Sequence, residues 1–269
     1  MSNLPKKLNP ALRYGNTKGK IIPMHHAFKT LHLNRVSRVS AVVLPVLFMA
    51  LVWLFLPWIF DVWDGIFNFW LERIYHMRAS YWPVNILGQD LAIPYPALEA
   101  DAPSHFMVQM NFWICLLVLA ISIVFPLRGA PLTYLLRTAL LIQGSASIDR
   151  MVSPDFFPYT LPIYLLDAMI QCVYMLFLIP VILGFVYYIF DFTIWRKVLI
   201  TCLTIGYFLI AVPCQYMLHA YFIHEWTLLF LPLMYILFGI VIDVLMFVSI
   251  YSYGMSWRSR KEALQGRGL

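Results

Sequence analysis

Charge is what this sequence has least of. Only 12% of its 269 residues are Asp, Glu, Lys or Arg, and 62% are hydrophobic. A soluble domain typically carries about 25% charged and about 45–50% apolar residues. That imbalance excludes an ordinary water-soluble globule. Acids are missing from the first 60 positions, Asp61 being the first, whereas Lys6, Lys7, Arg13, Lys18, Lys20, Lys29, Arg35 and Arg38 all precede it. A basic, acid-free leader could bind nucleic acid or act as a transit peptide, but before a long apolar run it reads best as a cytoplasmic anchor under the positive-inside rule. No nucleic-acid partner is expected.

Other scarcities narrow the chemistry. There are four cysteines, Cys115, Cys172, Cys202 and Cys214. All lie in apolar runs and none forms a CxxC pair, so they read as small buried hydrophobes, not as a disulfide frame or metal site. His219 and His224 are five apart, about 140° around a helix, which is not the zinc H-E-x-x-H arrangement. G-x-S-x-G and P-loop patterns are missing too. With 12 glycines and no internal repeat, an inverted-repeat transporter gains no support. No metal, cofactor or catalytic residue is assigned, and the balance leans away from an enzyme.

What is present is a series of runs long enough to cross a bilayer, for which about 20 apolar residues suffice. The sequence predicts an all-α, polytopic transmembrane helix bundle. A basic segment, 1–38, is followed by the bundle, 39–252, and a basic tail, 253–269. Residues 39–60 and 106–127 are uncharged spans, as is 198–224. The span 161–190 is interrupted by Asp167, and 226–252 by Asp243. Residues 61–77 place Trp63, Phe67, Trp70 and Ile74 at helical spacing, which fits an amphipathic interfacial helix or a continuation of the first span. Residues 78–105 hold Pro83, Pro94, Pro96 and Pro103, so no long helix fits. Alternation in "VNILGQDLAIP" suggests a short hairpin.

The run 129–148 is long enough to cross but holds Arg137. If it crosses, there are six spans and the basic leader, Arg128, "WRK" and the tail share one side. If it lies flat, there are five and the basic tail is outside. A central Arg costs about 2.5–3.5 kcal/mol on insertion scales, less than several misplaced basic loops, so six spans are favoured. Both termini would then be cytoplasmic, and a bacterial inner membrane suits this pattern.

Few polar groups interrupt the spans. Asp167 and Gln171 are four apart and share a helix face, as do Gln215 and His219. The two helices run antiparallel. Asp167 and His219 therefore fall at matching depth, roughly 8–10 Å from one surface at about 1.5 Å per residue, and a contact between them is expected, either as an interhelical clamp or as a proton or ligand site. Asp243 lies deeper and needs a partner or a proton, Arg137 being one available. Three functional classes remain. The leading one is a membrane-embedded subunit or scaffold of a secretion, surface-polymer or conjugation assembly, in contact with lipids and other membrane subunits. The others are a small proton-coupled transporter or channel, and an enzyme acting on a lipid-linked substrate.

Overall fold

The computed structural model describes residues 15–17, 20–22, 35–124, 131–153, 160–189 and 194–256. Most of the basic leader and tail lie outside them. Near the start, β1 (Gly15–Thr17) pairs antiparallel with β2 (Lys20–Ile22). The rest is a bundle of helices with one further two-stranded ribbon.

The first long helix, α1 (Arg35–Ile74), runs unbroken for 40 residues, with Pro45 and Pro57 inside it. At about 1.5 Å per residue it is about 60 Å long, roughly twice the hydrocarbon thickness. Residues 61–74 therefore continue the first helix and do not form a separate one. The reason is packing: Leu56, Trp63, Phe67 and Leu71 form one stripe with almost no exposure. That stripe gains more against neighbouring helices than it would half-immersed at an interface. His76 ends the helix in the left-handed region at φ 53°.

The irregular stretch that follows holds the expected hairpin. Strand β3 (Ser80–Ile86) pairs with β4 (Gln89–Tyr95) in register from Ser80↔Tyr95 to Ile86↔Gln89. The two-residue turn has Leu87 at φ 50° and Gly88 at φ 86°. Positive φ at both positions matches the right-handed twist of a hairpin, although a leucine is strained there. Asn85 locks the turn by donating Nδ2–H to Asp90 Oδ1 at 2.6 Å and accepting from the Gly88 N–H at 3.2 Å. With only two strands, Pro83 and Pro94 can face away from the ladder.

Two helices then pair with each other. In α2 (His105–Val124) and α3 (Pro131–Val152), Asn111 Nδ2 donates to Ser147 Oγ at 2.7 Å and Arg137 Nη2 to the Ser122 carbonyl at 2.5 Å. Gly144 faces Cys115 between these two bonds. The helices are thus antiparallel along their whole length. Helix α3 has the length to cross but not the apolarity of the five helical stretches that have both, Val39–Ile74, His105–Val124, Leu161–Tyr187, Ile194–Glu225 and Leu228–Gly254. Because it lies beside α2, it covers the same depth as α2.

The core joins α1 to α4 (Leu161–Ile189) and to a long composite helix. The composite runs as α5 (Ile194–Gly206), a π-helical segment (Tyr207–Ala211) and α6 (Val212–Glu225). Gly184 on α4 permits the closest approach to α1, since a Cβ there would meet Pro45 Cγ at 2.5 Å and the Ala41 carbonyl at 3.0 Å. The last helix begins with a short 3-10 turn (Leu228–Phe230) and α7 (Leu231–Leu233). It passes through a second π-helical segment (Met234–Val241) and ends as α8 (Ile242–Ser256).

The ends of these helices gather at two poles. At the ribbon pole, His224 bonds to the Glu99 carbonyl and the Leu228 N–H donates to the Asp101 carbonyl. At the other pole, Lys197 Nζ donates to Ser40 Oγ at 2.9 Å, and Ile200 packs under Gly254. The start of α1 and the end of α8 therefore lie at the same pole.

Candidate functional site

The two π-helical segments belong to neighbouring helices, α6 packing on the second, and the first has a local cause. Pro213 has no N–H to give to the carbonyl four residues back, and its ring crowds that carbonyl. The carbonyl belongs to Leu209. The helix widens instead, and the Val212 N–H reaches the Tyr207 carbonyl. Side chains from neighbouring helices take up the freed carbonyls. Trp63 Nε1 donates to Leu209 at 3.0 Å, Cys172 Sγ to Phe208 at 3.5 Å, and Gln215 Nε2 to Phe238 of the second segment at 2.7 Å. Such single-turn π segments occur frequently at functional sites.

A polar cluster fills the space between them. The Tyr207 hydroxyl lies 2.8 Å from Asp243 Oδ1 and 3.3 Å from Gln215 Oε1. It has one proton to give, and the shorter contact to the carboxylate takes it. Gln215 Nε2 also reaches Asp243 Oδ1 at 3.4 Å. These side chains satisfy one another, which is the pattern of an interhelical clamp.

His219 is one turn beyond Gln215 and is 2% exposed. Its Nδ1 lies 2.9 Å from the Tyr164 hydroxyl. Tyr216 packs edge-on against the imidazole with ring centroids 5.1 Å apart, and Tyr235 packs edge-on against Tyr164 at 6.1 Å. The other ring nitrogen, Nε2, is buried from solvent. The Phe238 carbonyl, which accepts from Gln215, also lies against the imidazole as a backbone partner.

Three clefts adjoin this cluster. The largest, about 650 Å³, is lined by Gln215 and His219 among apolar side chains. A second, about 260 Å³, is lined by Tyr216, Asp243 and Gln171. The third, about 150 Å³, holds Tyr164, Asp167, Gln171 and Tyr235. The clamp thus forms a wall between the first two.

Of the polar positions singled out by sequence, Gln215, His219 and Asp243 come together. The expected contact of Asp167 with His219 is not made. Tyr164 takes the imidazole instead, while Asp167 and Gln171 are exposed and Asp167 has no hydrogen bond or ion pair among the described residues. Matching depth holds, but Asp167 is turned away around the helix axis. The Arg137–Asp243 pairing is not made either. Arg137 is spent on Ser122, on the far side of the α2–α3 pair, and Asp243 on Tyr207 and Gln215.

Sequence reading also missed participants. Tyr207 had one available signal, Pro213 six residues downstream in an uncharged run. Lys197, read as a loop cation, is 1% exposed. Its carbonyl accepts from the Tyr187 hydroxyl at 2.7 Å and from Thr201 Oγ1 at 2.9 Å.

At the ribbon pole, outside the spans, Tyr75 contacts Glu225 at 3.4 Å. Burial, and then the Glu225 carboxylate, push its phenol up to about 12. The Tyr81 phenol is raised by its 2.8 Å bond to Asp64.

Compared with protein-family models, curated proteins and solved structures, the chain matches none. The class that fold and site define is a multi-pass helical membrane protein.

Proposed function

We propose that this chain is a membrane-embedded subunit of a larger protein assembly. In this reading it crosses a bacterial inner membrane six times and keeps both termini cytoplasmic. The observation that supports it is the α2–α3 hairpin. Its two helices pack on each other, but their attachment to the rest of the bundle is gathered on Leu228–Leu233, where Gln143 Nε2 donates to the Leu229 carbonyl at 3.3 Å. Only 11% of the most apolar stretch of α2 is buried. A hairpin held at one pole leaves a long apolar flank in the bilayer, and a neighbouring subunit's helices would give it the close packing that stabilises membrane helices. Asp167, an unpaired acid within a span, supports the same reading, because such acids mark sites that pair with something.

The six-span threading is supported by the antiparallel α2–α3 contact, which makes both helices cross or neither. It also agrees with the positive-inside rule for the basic leader and tail.

The test places a photo-cross-linking residue at Trp113 or Leu117 on α2 and, as a comparison, at Tyr174 on α4, all exposed. Native membranes are irradiated and solubilised in mild detergent. A discrete protein adduct from the α2 positions, within a particle larger than the 31.4 kDa chain, is the expected result. A monodisperse monomer with lipid adducts alone from all three positions overturns the proposal.

A further inference from the structure

We propose that the turn of the β3–β4 ribbon is a lipid-binding element, with Leu87 inserted among the acyl chains of the leaflet at the ribbon pole. This arrangement needs only the multi-pass fold and no partner subunit.

Three hydrogen bonds set the depth of the ribbon. The Ala79 N–H donates to Asn68 Oδ1 and the Tyr81 hydroxyl to Asp64 Oδ1, both at 2.8 Å. Gln89 Nε2, beside the turn, donates to the Trp53 carbonyl at 3.4 Å. The partners on α1 step back from Asn68 to Asp64 to Trp53. The chain thus leaves α1 and folds back along it, towards the first apolar run. The Trp53 carbonyl is open for a chemical reason. Pro57 has no N–H to give to the carbonyl four residues back, and α1 continues through it. In hydrocarbon such a carbonyl needs another donor, and Gln89 supplies it. Trp53 lies about 12 Å before Asp61, at about 1.5 Å per residue, and Asp61 is the first charge after the apolar run. Headgroups occupy roughly 5–8 Å on each side of the hydrocarbon. A turn level with Trp53 passes beyond them.

The turn carries a residue suited to that place. Leu87 has φ 50° and is 74% exposed. In water a hairpin turn of this form favours Asn, Asp or Gly. Here neither the backbone nor packing within the chain favours leucine, whereas acyl chains do. Trp82 on the ribbon and Trp53 and Trp58 on α1 are also exposed, and tryptophan collects at the membrane interface. Leu54 and Phe55 beside them are exposed as well, so the turn extends the lipid-facing flank of α1. The polar rung next to the turn has its own partner, since Asn85 donates to Asp90. Only the turn is immersed, because an open ribbon edge needs water for its free N–H and C=O groups.

The experiment uses the full chain, purified and placed in phosphatidylcholine nanodiscs. These contain a phosphatidylcholine with a diazirine near the end of one acyl chain. After irradiation, adducts are mapped by mass spectrometry. In the wild type, adducts are expected on residues 86–89 and on Leu54. None is expected on Arg78, whose side chain is exposed beyond the end of α1. Leu87→Asp suits the backbone of the turn but not hydrocarbon. It should fold, cut the adducts on 86–89 at least fivefold and leave those on Leu54 unchanged. Labelling of Leu54 without labelling of 86–89 in the wild type overturns the proposal and puts the turn in water. That result needs no substitution, so it stands whether or not the variant folds. Equal labelling of 86–89 in the wild type and in folded Leu87→Asp also overturns it, since Leu87 would then not be what enters the bilayer.

Discussion

The α1–α4–α6 core and the α2–α3 hairpin are both built from helices of the same chain, but they are joined by different means. In the core, large side chains meet. Leu56, Trp63, Phe67, Leu165, Met169 and Leu176 are all nearly or fully buried. The hairpin seam is built instead from Asn111 on Ser147 and Arg137 on Ser122, with Gly144 against Cys115. Small and hydroxyl residues let membrane helices approach closely, and hydrogen bonds then hold them. The core also carries two π-helical segments, each needing side chains from elsewhere to satisfy its carbonyls, whereas α2 and α3 are regular. The core is therefore sensitive to loss of volume, and the hairpin to gain of it.

The largest effect is expected from Trp63→Ala. It removes a fully buried indole and the donor to the Leu209 carbonyl. A buried Trp→Ala change typically costs about 3–5 kcal/mol. Trp63→Phe, which keeps most of the volume and leaves the carbonyl unpaired, should cost about 1–3 kcal/mol. Thermal unfolding in detergent reads both, and equal losses would show that the hydrogen bond, not the volume, dominates.

Next is Ser147→Leu. Ser147 is fully buried in the hairpin seam and bonded to Asn111. Overpacking there should cost about 1–3 kcal/mol. Two buried cysteines separate the regions, Cys115 in the hairpin and Cys172 in the core. Thiol labelling of Cys115 should speed up about tenfold per 1.4 kcal/mol lost, with Cys172 unchanged. Parallel acceleration of both would mean that hairpin and core unfold as one unit, and the contrast drawn above would fail.

A smaller loss, about 1 kcal/mol by analogy with measured hydrogen bonds in membrane proteins, is expected for Tyr207→Phe. It takes the 2.8 Å bond from Asp243 and leaves Gln215 as its neighbour. This loss should appear in Cys172 labelling and not in Cys115 labelling. A change at Cys115 would show that the clamp also steadies the hairpin.

Depth was legible in the sequence, and rotation about the helix axis was not. Run lengths and flanking charges marked the spans, and alternation around Gly88 marked the ribbon. Counting residues also placed Asp167 and His219 level. Which way each side chain points depends on how helices pack, and a π-helical turn shifts everything beyond it. The shift after Tyr207–Ala211 helps bring Gln215 to Asp243 and His219 to Tyr164. Arg137 shows the same limit from another side. The sequence offers it as a partner for Asp243, but a backbone carbonyl and a hydroxyl on the adjoining helix take it instead. The composition of 129–148 shows a marginal helix. Its partner could not be read there, because the seam consists of small residues that carry no apolar periodicity.

The smallest effect tests a joint at the ribbon pole, where the core meets the outer segments. Tyr75 joins the end of α1 to Glu225 at the end of α6. With its phenol pushed up to about 12 from an ordinary value of 10.0, the folded state holds the proton more tightly than the unfolded chain. That preference contributes stability in full below pH 10, and it is lost as the pH rises towards 12, where the phenolate would face the Glu225 carboxylate. Tyr75 is half-buried at the edge of the core, and screening by the solvent it still meets keeps the contribution to about 1 kcal/mol. The melting temperature should therefore fall slightly more steeply above pH 10 in wild type than in Tyr75→Phe, while the two profiles run parallel below pH 9. Parallel profiles throughout would mean that the ribbon pole is held by the Glu99–His224 and Asp101–Leu228 contacts without Tyr75.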